Sequence, residues 1–194
     1  MAWAGLALGG LVALTRYAGT PGASASAPAR WPAESQVTRE TGRPTALFFA
    51  HPRCPCTRAS VQELGRLVAR AGAGVDVTVL LACPAGAPSD WAETDLARAA
   101  AAIPGVRVVR DEDEREAARF GVVTSGQVLL YDGAGALRFA GGITAGRGHA
   151  GDNANRAALE AALGGAVARA DAPVFGCELE ARRGASTGGT SWTP

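Results

Sequence analysis

The most constraining feature of this chain is an apolar run, Thr45–Ala50 (TALFFA), that passes without a spacer into His51-Pro52-Arg53-Cys54-Pro55-Cys56. A half-exposed strand alternates apolar and polar residues, so an unbroken apolar run marks a strand buried on both faces. Such a strand needs a covering layer on each side of its sheet. The next residues, Thr57–Ala71, carry Val61, Leu64, Leu67, Val68 and Ala71 on one helical stripe. A second apolar run, Val75–Ala82, predicts a parallel partner strand reached by a right-handed crossover.

The alternation continues downstream. Ser89 or Asp90 is expected to cap a helix carrying Leu96, Ala99, Ala100 and Ile103. Val106–Val109 reads as a short strand, and Glu114–Phe120 as a short helix stopped by Gly121. Gln127–Tyr131 and Ala136–Ala140 form a hairpin through Asp132-Gly133-Ala134-Gly135. Asp152 is expected to cap a last helix that runs through Leu163 and ends at Gly164-Gly165. There are no internal repeats. The order βαβαβαββα predicts one α/β domain over 40–165, a three-layer α/β/α sandwich with a mixed, about five-stranded sheet.

Composition narrows the chemistry. All nineteen basic residues are arginine, which excludes Schiff-base and P-loop lysine chemistry. The initiator is the one methionine, so there is no methionine-rich copper arm. A formal charge of +1 and isolated tryptophans at 31, 91 and 192 offer no footprint for nucleic acid. The reactive side chains left are Cys54, Cys56, Cys83, Cys177, His51 and His149.

Residues 1–17 are apolar up to Arg16 and are expected to be a hydrophobic anchor or a signal. An uncleaved single anchor implies a membrane protein with an extracytoplasmic (periplasmic) domain. Cleavage near Ala23-Ser24-Ala25 implies secretion. Residues 18–39 are rich in Pro, Ala, Ser and Gly and read as a flexible tether. Residues 166–194 read as a loop-like tail holding Cys177, and the apolar Pro173-Val174-Phe175 before it suggests that the tail docks back onto the domain.

In open α/β sheets, sites form beyond the carboxyl ends of the parallel strands. The first strand ends at the Cys-Pro-Cys segment and the second at Cys83. An antiparallel strand would bring Thr124-Ser125-Gly126 to the same edge, and its hairpin partner would deliver His149. Pro55 suits a first helical position, which makes Cys54 the cap and puts Cys56 in the first turn. A helix start, with Arg53, Arg58 and His51 nearby, favours a thiolate. Residues i and i+2 do not face each other on a helix. Cys54 therefore pairs with Cys56 only outside helical geometry. Otherwise one of them pairs with Cys83 or Cys177, or the group binds a soft metal.

The strand Phe48-Phe49-Ala50 running into Cys54-Pro55-Cys56 and then a helix resembles the thioredoxin-like superfamily, in its TlpA-like and peroxiredoxin-like branch. HPRCPCTRAS together with GGITAGRGHAGDN is similar to bacterial proteins named RedB. The motif departs from that family's C-x-x-C, and Thr124-Ser125 stands where the family has a cis-proline. The resemblance implies a membrane-tethered or secreted thiol/disulfide oxidoreductase with Cys54 and Cys56 as catalytic residues. His51, Arg53, Ser125 and His149 would support them, and Cys83 and Cys177 are candidate resolving cysteines. The rival readings are a copper-binding module using Cys54, Cys56, His149 and Cys177, and a non-catalytic accessory domain. Expected partners are protein thiols or disulfides, or a membrane redox complex.

Other motifs have plainer readings. Gly146–Gly151 matches G-x-G-x-x-G, but no strand follows its helix, so a dinucleotide site is rejected. The loop is either a small-anion site or a tight turn. Asp111–Glu116 (DEDERE) reads as a solvated helix start. Cys83 is a redox or metal partner or a small buried residue.

Overall fold

The computed structural model describes residues 2–179. The rest of the expected tail, 180–194, lies outside the described residues, as does Trp192. After an N-terminal helix α1 (Ala2–Gly19) come β1 (Thr45–Ala50), α2 (Thr57–Ala71), β2 (Asp76–Cys83) and α3 (Asp95–Ala101). Then follow β3 (Val106–Glu112), α4 (Arg115–Arg119), β4 (Gln127–Tyr131), β5 (Leu137–Gly141), α5 (Ala154–Leu163) and β6 (Ala170–Asp171).

One sheet runs β3-β2-β1-β4-β5-β6. β1 is parallel to β2 and antiparallel to β4, which puts it at the centre, buried along its length. This is the thioredoxin-like α/β/α sandwich, with six strands instead of about five. The sixth, β6, pairs with β5 through Phe139↔Ala170 and Ala140↔Asp171. Two residues carry no periodicity, so this strand has no signature in sequence.

Each sheet face has its own core. Phe48, Val79, Leu81, Val128 and Phe139 pack under α2, α3 and α5 through Leu64, Leu67, Leu96, Ala100 and Leu159. Leu47, Phe49, Leu80, Leu129 and Tyr131 pack against Ala117, Phe120, Leu137 and Leu179. The five-residue α4 is too short to cover this second face alone. The stretch expected as a tether completes the cover. Trp31 sets its ring edge-on to Phe120 at 5.1 Å and to Tyr131 at 5.3 Å. Gly22 N donates to Val174 O (2.8 Å), Thr124 Oγ1 to Ala23 O (2.7 Å) and Tyr131 Oη to Pro28 O (3.0 Å). Leu137 N donates to Ala29 O and Trp31 N to Gly135 O.

Several boundaries differ from expectation, β2, β5 and α4 by a single residue at each end. α3 starts at Asp95, capped by Thr94, whose side chain accepts from Ala97 N. Residues 84–93 are spent on turns after Pro84 and Pro88. β3 continues through the charged Arg110–Glu112 because it is an edge strand, where charge is tolerated. Within DEDERE, Asp111 is buried and accepts from Glu116 N and Ala117 N at the start of α4. α5 is capped by Asn153, which accepts from Arg156 N (2.9 Å), while Asp152 ion-pairs with Arg156.

The expected transmembrane helix is not found. Among the described residues no helix is long and apolar enough to cross a membrane. α1 has 18 residues, about 27 Å at ~1.5 Å per residue, and Arg16 lies in its last turn. Trp3, Leu6, Leu8, Leu11 and Leu14 are exposed on it.

Candidate functional site

The Cys-Pro-Cys segment does not begin the helix. Cys54 N donates to His51 O (3.1 Å), Thr57 N to Cys54 O (3.2 Å) and Arg58 N to Pro55 O (3.4 Å). These overlapping turns delay α2 to Thr57. Cys56 therefore takes the cap position, with no side-chain cap bond, instead of Cys54. The turns leave Cys54 outside the helix, where its sulfur takes hydrogen bonds from the side chain and backbone of Thr57 at the helix start.

Ser125 ties the junction to the sheet. β4 runs antiparallel to β1, and Gly126 N donates to Phe49 O (2.7 Å) just before the strand starts. Ser125 Oγ accepts from His51 N (2.8 Å) and shares a hydrogen bond with Thr57 Oγ1 (2.7 Å). Ser125 N donates to Cys177 O (2.8 Å). One buried serine thus fixes the end of β1, the start of α2 and the tail.

The tail brings in Cys177. Its sulfur lies 3.2 Å from Cys54 Sγ. The sulfurs of Cys54, Cys56 and Cys177 all lie within 4.8 Å of one another, and all three cysteines are free thiols. Val174 and Phe175 are buried, and Arg147 donates from its guanidinium to Gly176 O. Gly176 passes so close to Ser125 that a Cβ there would fall 1.7 Å from Ser125 O. Only glycine allows that approach. Glu178 then pairs antiparallel with Thr124, and Leu179 N donates to Val123 O (3.0 Å).

Electrostatics separate the two close sulfurs. Burial raises the Cys54 pKa, but hydrogen bonds from the Thr57 side chain, Cys177 and the Thr57 backbone outweigh it and hold Cys54 below the ordinary thiol value. Burial, the bond to Cys54 and repulsion from Cys54 and Cys56 push Cys177 up to about 12, against an opposing Arg147. Of the two, Cys54 is therefore the more readily ionised, and once it has lost its proton Cys177 keeps its own and can donate it to the Cys54 sulfur.

The other expected site residues are scattered. His51 Nδ1 accepts from Arg53 N (3.2 Å), and the ring meets Trp91 edge-on at 6.0 Å. Arg53 stacks on Trp91 with its guanidinium carbon 4.0 Å from the ring centroid. Cys83 and His149 are outside the sulfur cluster. β2 overruns β1 by two residues, so Cys83 pairs with Glu112 of β3, wholly buried in the helical-layer core. Burial raises its thiol pKa. His149 is exposed, its Nδ1 within 2.8 Å of Arg147 O. The Gly-rich loop serves as a turn that aims Arg147 at the tail. Sequence reasoning missed Thr57 and gave Arg147 no role toward the tail. Thr57 had a signal, since it stands three residues after Cys54. Arg147 had none, because its target is a distant carbonyl.

No protein-family model matches this chain, and neither does any curated protein. Solved structures do. A hypothetical protein of Sinorhizobium meliloti superposes with a TM-score of 0.59 at 20% identity, covering 83% of this chain and 94% of that one. An uncharacterized conserved protein of Geobacillus kaustophilus gives 0.58 at 20% identity, covering 83% and 92%. A secreted disulfide oxidoreductase of Mycobacterium tuberculosis, homologous to E. coli DsbE, gives 0.46 at 16% identity, covering 64% and 83%. These likenesses concern the fold.

Proposed function

We propose that the chain is a thiol/disulfide oxidoreductase in which Cys54 is the attacking thiolate and Cys177 the cysteine that resolves the intermediate. The carrying observation is the 3.2 Å between their sulfurs. Cys54 attacks one sulfur of a partner protein's disulfide. That bond breaks, and the other partner sulfur leaves as a thiolate. Cys54 is now neutral, so the bond and the charge that added to burial in keeping Cys177 protonated are gone. Cys177 gives up its proton and attacks Cys54 Sγ, and the partner's remaining sulfur leaves. Two electrons have passed to the partner, and Cys54 and Cys177 are joined. Closing 3.2 Å to a bond of about 2.0 Å is a side-chain movement. Cys56, which stands in the place of the second cysteine of the thioredoxin-like motif, is the second candidate for resolution.

The test uses glutathione disulfide and the reduced full chain. The expected sequence is glutathionylation at Cys54, then loss of glutathione with formation of an internal disulfide. In Cys177→Ser the mixed disulfide should accumulate. A Cys54 that never takes glutathione contradicts the reading.

A second reading rests on the same sulfurs. Cys54, Cys56 and Cys177 fit a soft ion such as Cu(I), for which thiolates are the preferred ligands. His149 is not in that set. The bound ion would supply soft-metal storage or delivery. Copper retained one-to-one after anaerobic loading, and lost in Cys177→Ser, would favour this reading. An outside-cytoplasm site of action, with 1–17 directing the chain to a membrane, is consistent with exposed leucines on α1.

A further inference from the structure

The segment beside the site is itself a cysteine-bearing peptide in an extended conformation. Residues 177–179 lie antiparallel to 123–125, with Ser125 N bonded to Cys177 O, Thr124 opposite Glu178 and Leu179 N bonded to Val123 O. The cysteine meets Cys54, the next side chain is exposed, and the one after it, Leu179, is 2% exposed in the second core. We propose that the Val123–Ser125 edge is the docking site for partner peptides of the form Gly-Cys-x-apolar, and that the chain's own Gly176–Leu179 is its internal occupant. This rests on the exchange reading above and names the peptide it acts on.

Each position of the pattern has a physical cause. The backbone bonds of the edge accept any extended peptide, so selection falls on alternate side chains. Glycine before the cysteine is required by the contact at Ser125 O. The apolar residue two places after the cysteine replaces Leu179. Beside Leu179 a cavity of about 280 Å³ is lined by Ala25, Ala117, Gly121, Val122 and Val123, with Glu114 on its wall. It leaves room for a larger apolar side chain and disfavours an acidic one.

The tail can yield the edge without leaving the molecule. Val174 O is held by Gly22 N and Pro173 O by Asn155 Nδ2, upstream of the occupant. Swinging at Gly176 frees 177–179 while Cys177 stays within reach. The partner cysteine, present as a disulfide, then meets Cys54. Cys54 takes its sulfur and the disulfide's other sulfur leaves as a thiolate. The return of Cys177 releases the partner thiol and restores the occupant.

The experiment uses the full reduced chain and two peptides, Phe-Gly-Cys-Glu-Leu and Phe-Gly-Cys-Glu-Asp. Each carries its cysteine as a mixed disulfide with 2-nitro-5-thiobenzoate, and release of that chromophore is timed. The leucine peptide should react about tenfold faster, as expected for burying one leucine. Leu179→Ala should raise the rate for the leucine peptide further, because the internal competitor is weakened. Equal rates for the two peptides on both chains overturn the docking edge and leave exchange at Cys54 standing. No chromophore release from either peptide overturns both. The peptide comparison on the unaltered chain holds whether or not Leu179→Ala folds.

Discussion

At the residue scale the account rests on how one proton is shared. Thr57 and Cys177 bond to Cys54 and overcome its burial, while Cys177 is driven up to about 12. Thiolate reacts and thiol does not. Iodoacetamide should therefore alkylate Cys54 below the pH at which an ordinary thiol reacts, and before Cys177, which stays protonated while Cys54 is charged. Peptide mass spectrometry across a pH series checks both arms. The same shift carries a sign for stability. A raised folded pKa gives Cys177 a contribution that is complete below its unfolded value of 9.0 and lost as pH climbs through about 12. Thr57→Val removes a hydrogen bond from the thiolate and should slow Cys54 alkylation about tenfold at neutral pH. Thr57 was legible as a neighbour of the motif, three residues along. Its bond to Ser125, 68 positions away, was not, because that depends on β4 lying antiparallel to β1.

At the element scale, the strand–turn–helix unit is where the sequence was most informative. β1 and α2 have the expected limits because continuous apolarity and a helical stripe are local properties. The cap was misplaced, since overlapping turns through Pro55 follow from backbone bonds that composition does not report. The site's rear support is a relay of elements. Glu63 on α2, fully buried, accepts from Gly151 N (2.7 Å) and ion-pairs with Arg156 of α5 at 2.7 Å. The loop so held presents Arg147 to Gly176 O. Arg156→Met would leave the buried Glu63 with the half-exposed Arg66 in place of its buried partner, and should cost less than the about 3–5 kcal/mol of a fully unpaired buried charge in urea unfolding. Gly176→Ala acts at the front. Its Cβ meets Ser125 O, so the tail must back away, and the Cys54–Cys177 disulfide should fail to form while Cys54 still alkylates.

At the scale of the whole molecule, stretches on either side of 40–165 pack onto the domain. The N-terminal stretch covers the second sheet face and the C-terminal stretch supplies Cys177. The docking of the N-terminal stretch was not legible, whereas that of the tail was signalled by the apolar Pro173-Val174-Phe175 before Cys177. Pro/Ala/Ser/Gly composition reports backbone freedom in isolation, whereas Trp31 between Phe120 and Tyr131 is a tertiary event. The gathering of the site at one sheet edge was legible for Cys54, Cys56, His51 and Ser125. It failed for Cys83, because β2 runs past β1, and for His149, which its loop leaves exposed, while Cys177 had no place in it because topology alone left the tail out. Exposed leucines on α1 predict that the full chain floats with phosphatidylglycerol vesicles, and that Leu6→Glu with Leu11→Glu abolishes flotation. A Cys54–Cys177 bond would span 123 positions, so the oxidised chain should resist unfolding by about 4–5 kcal/mol more than the reduced one. Pairing is read most directly from trypsin peptides of the full chain equilibrated across a glutathione redox series. Arg53 and Arg58 flank Cys54 and Cys56, so these two leave on one peptide and Cys177 on another. The account predicts a cross-linked pair of peptides joined at Cys54 and Cys177 that appears and vanishes reversibly with the buffer. A bond confined to Cys54 and Cys56 within the single peptide, or a Cys177 that stays free throughout, would contradict it.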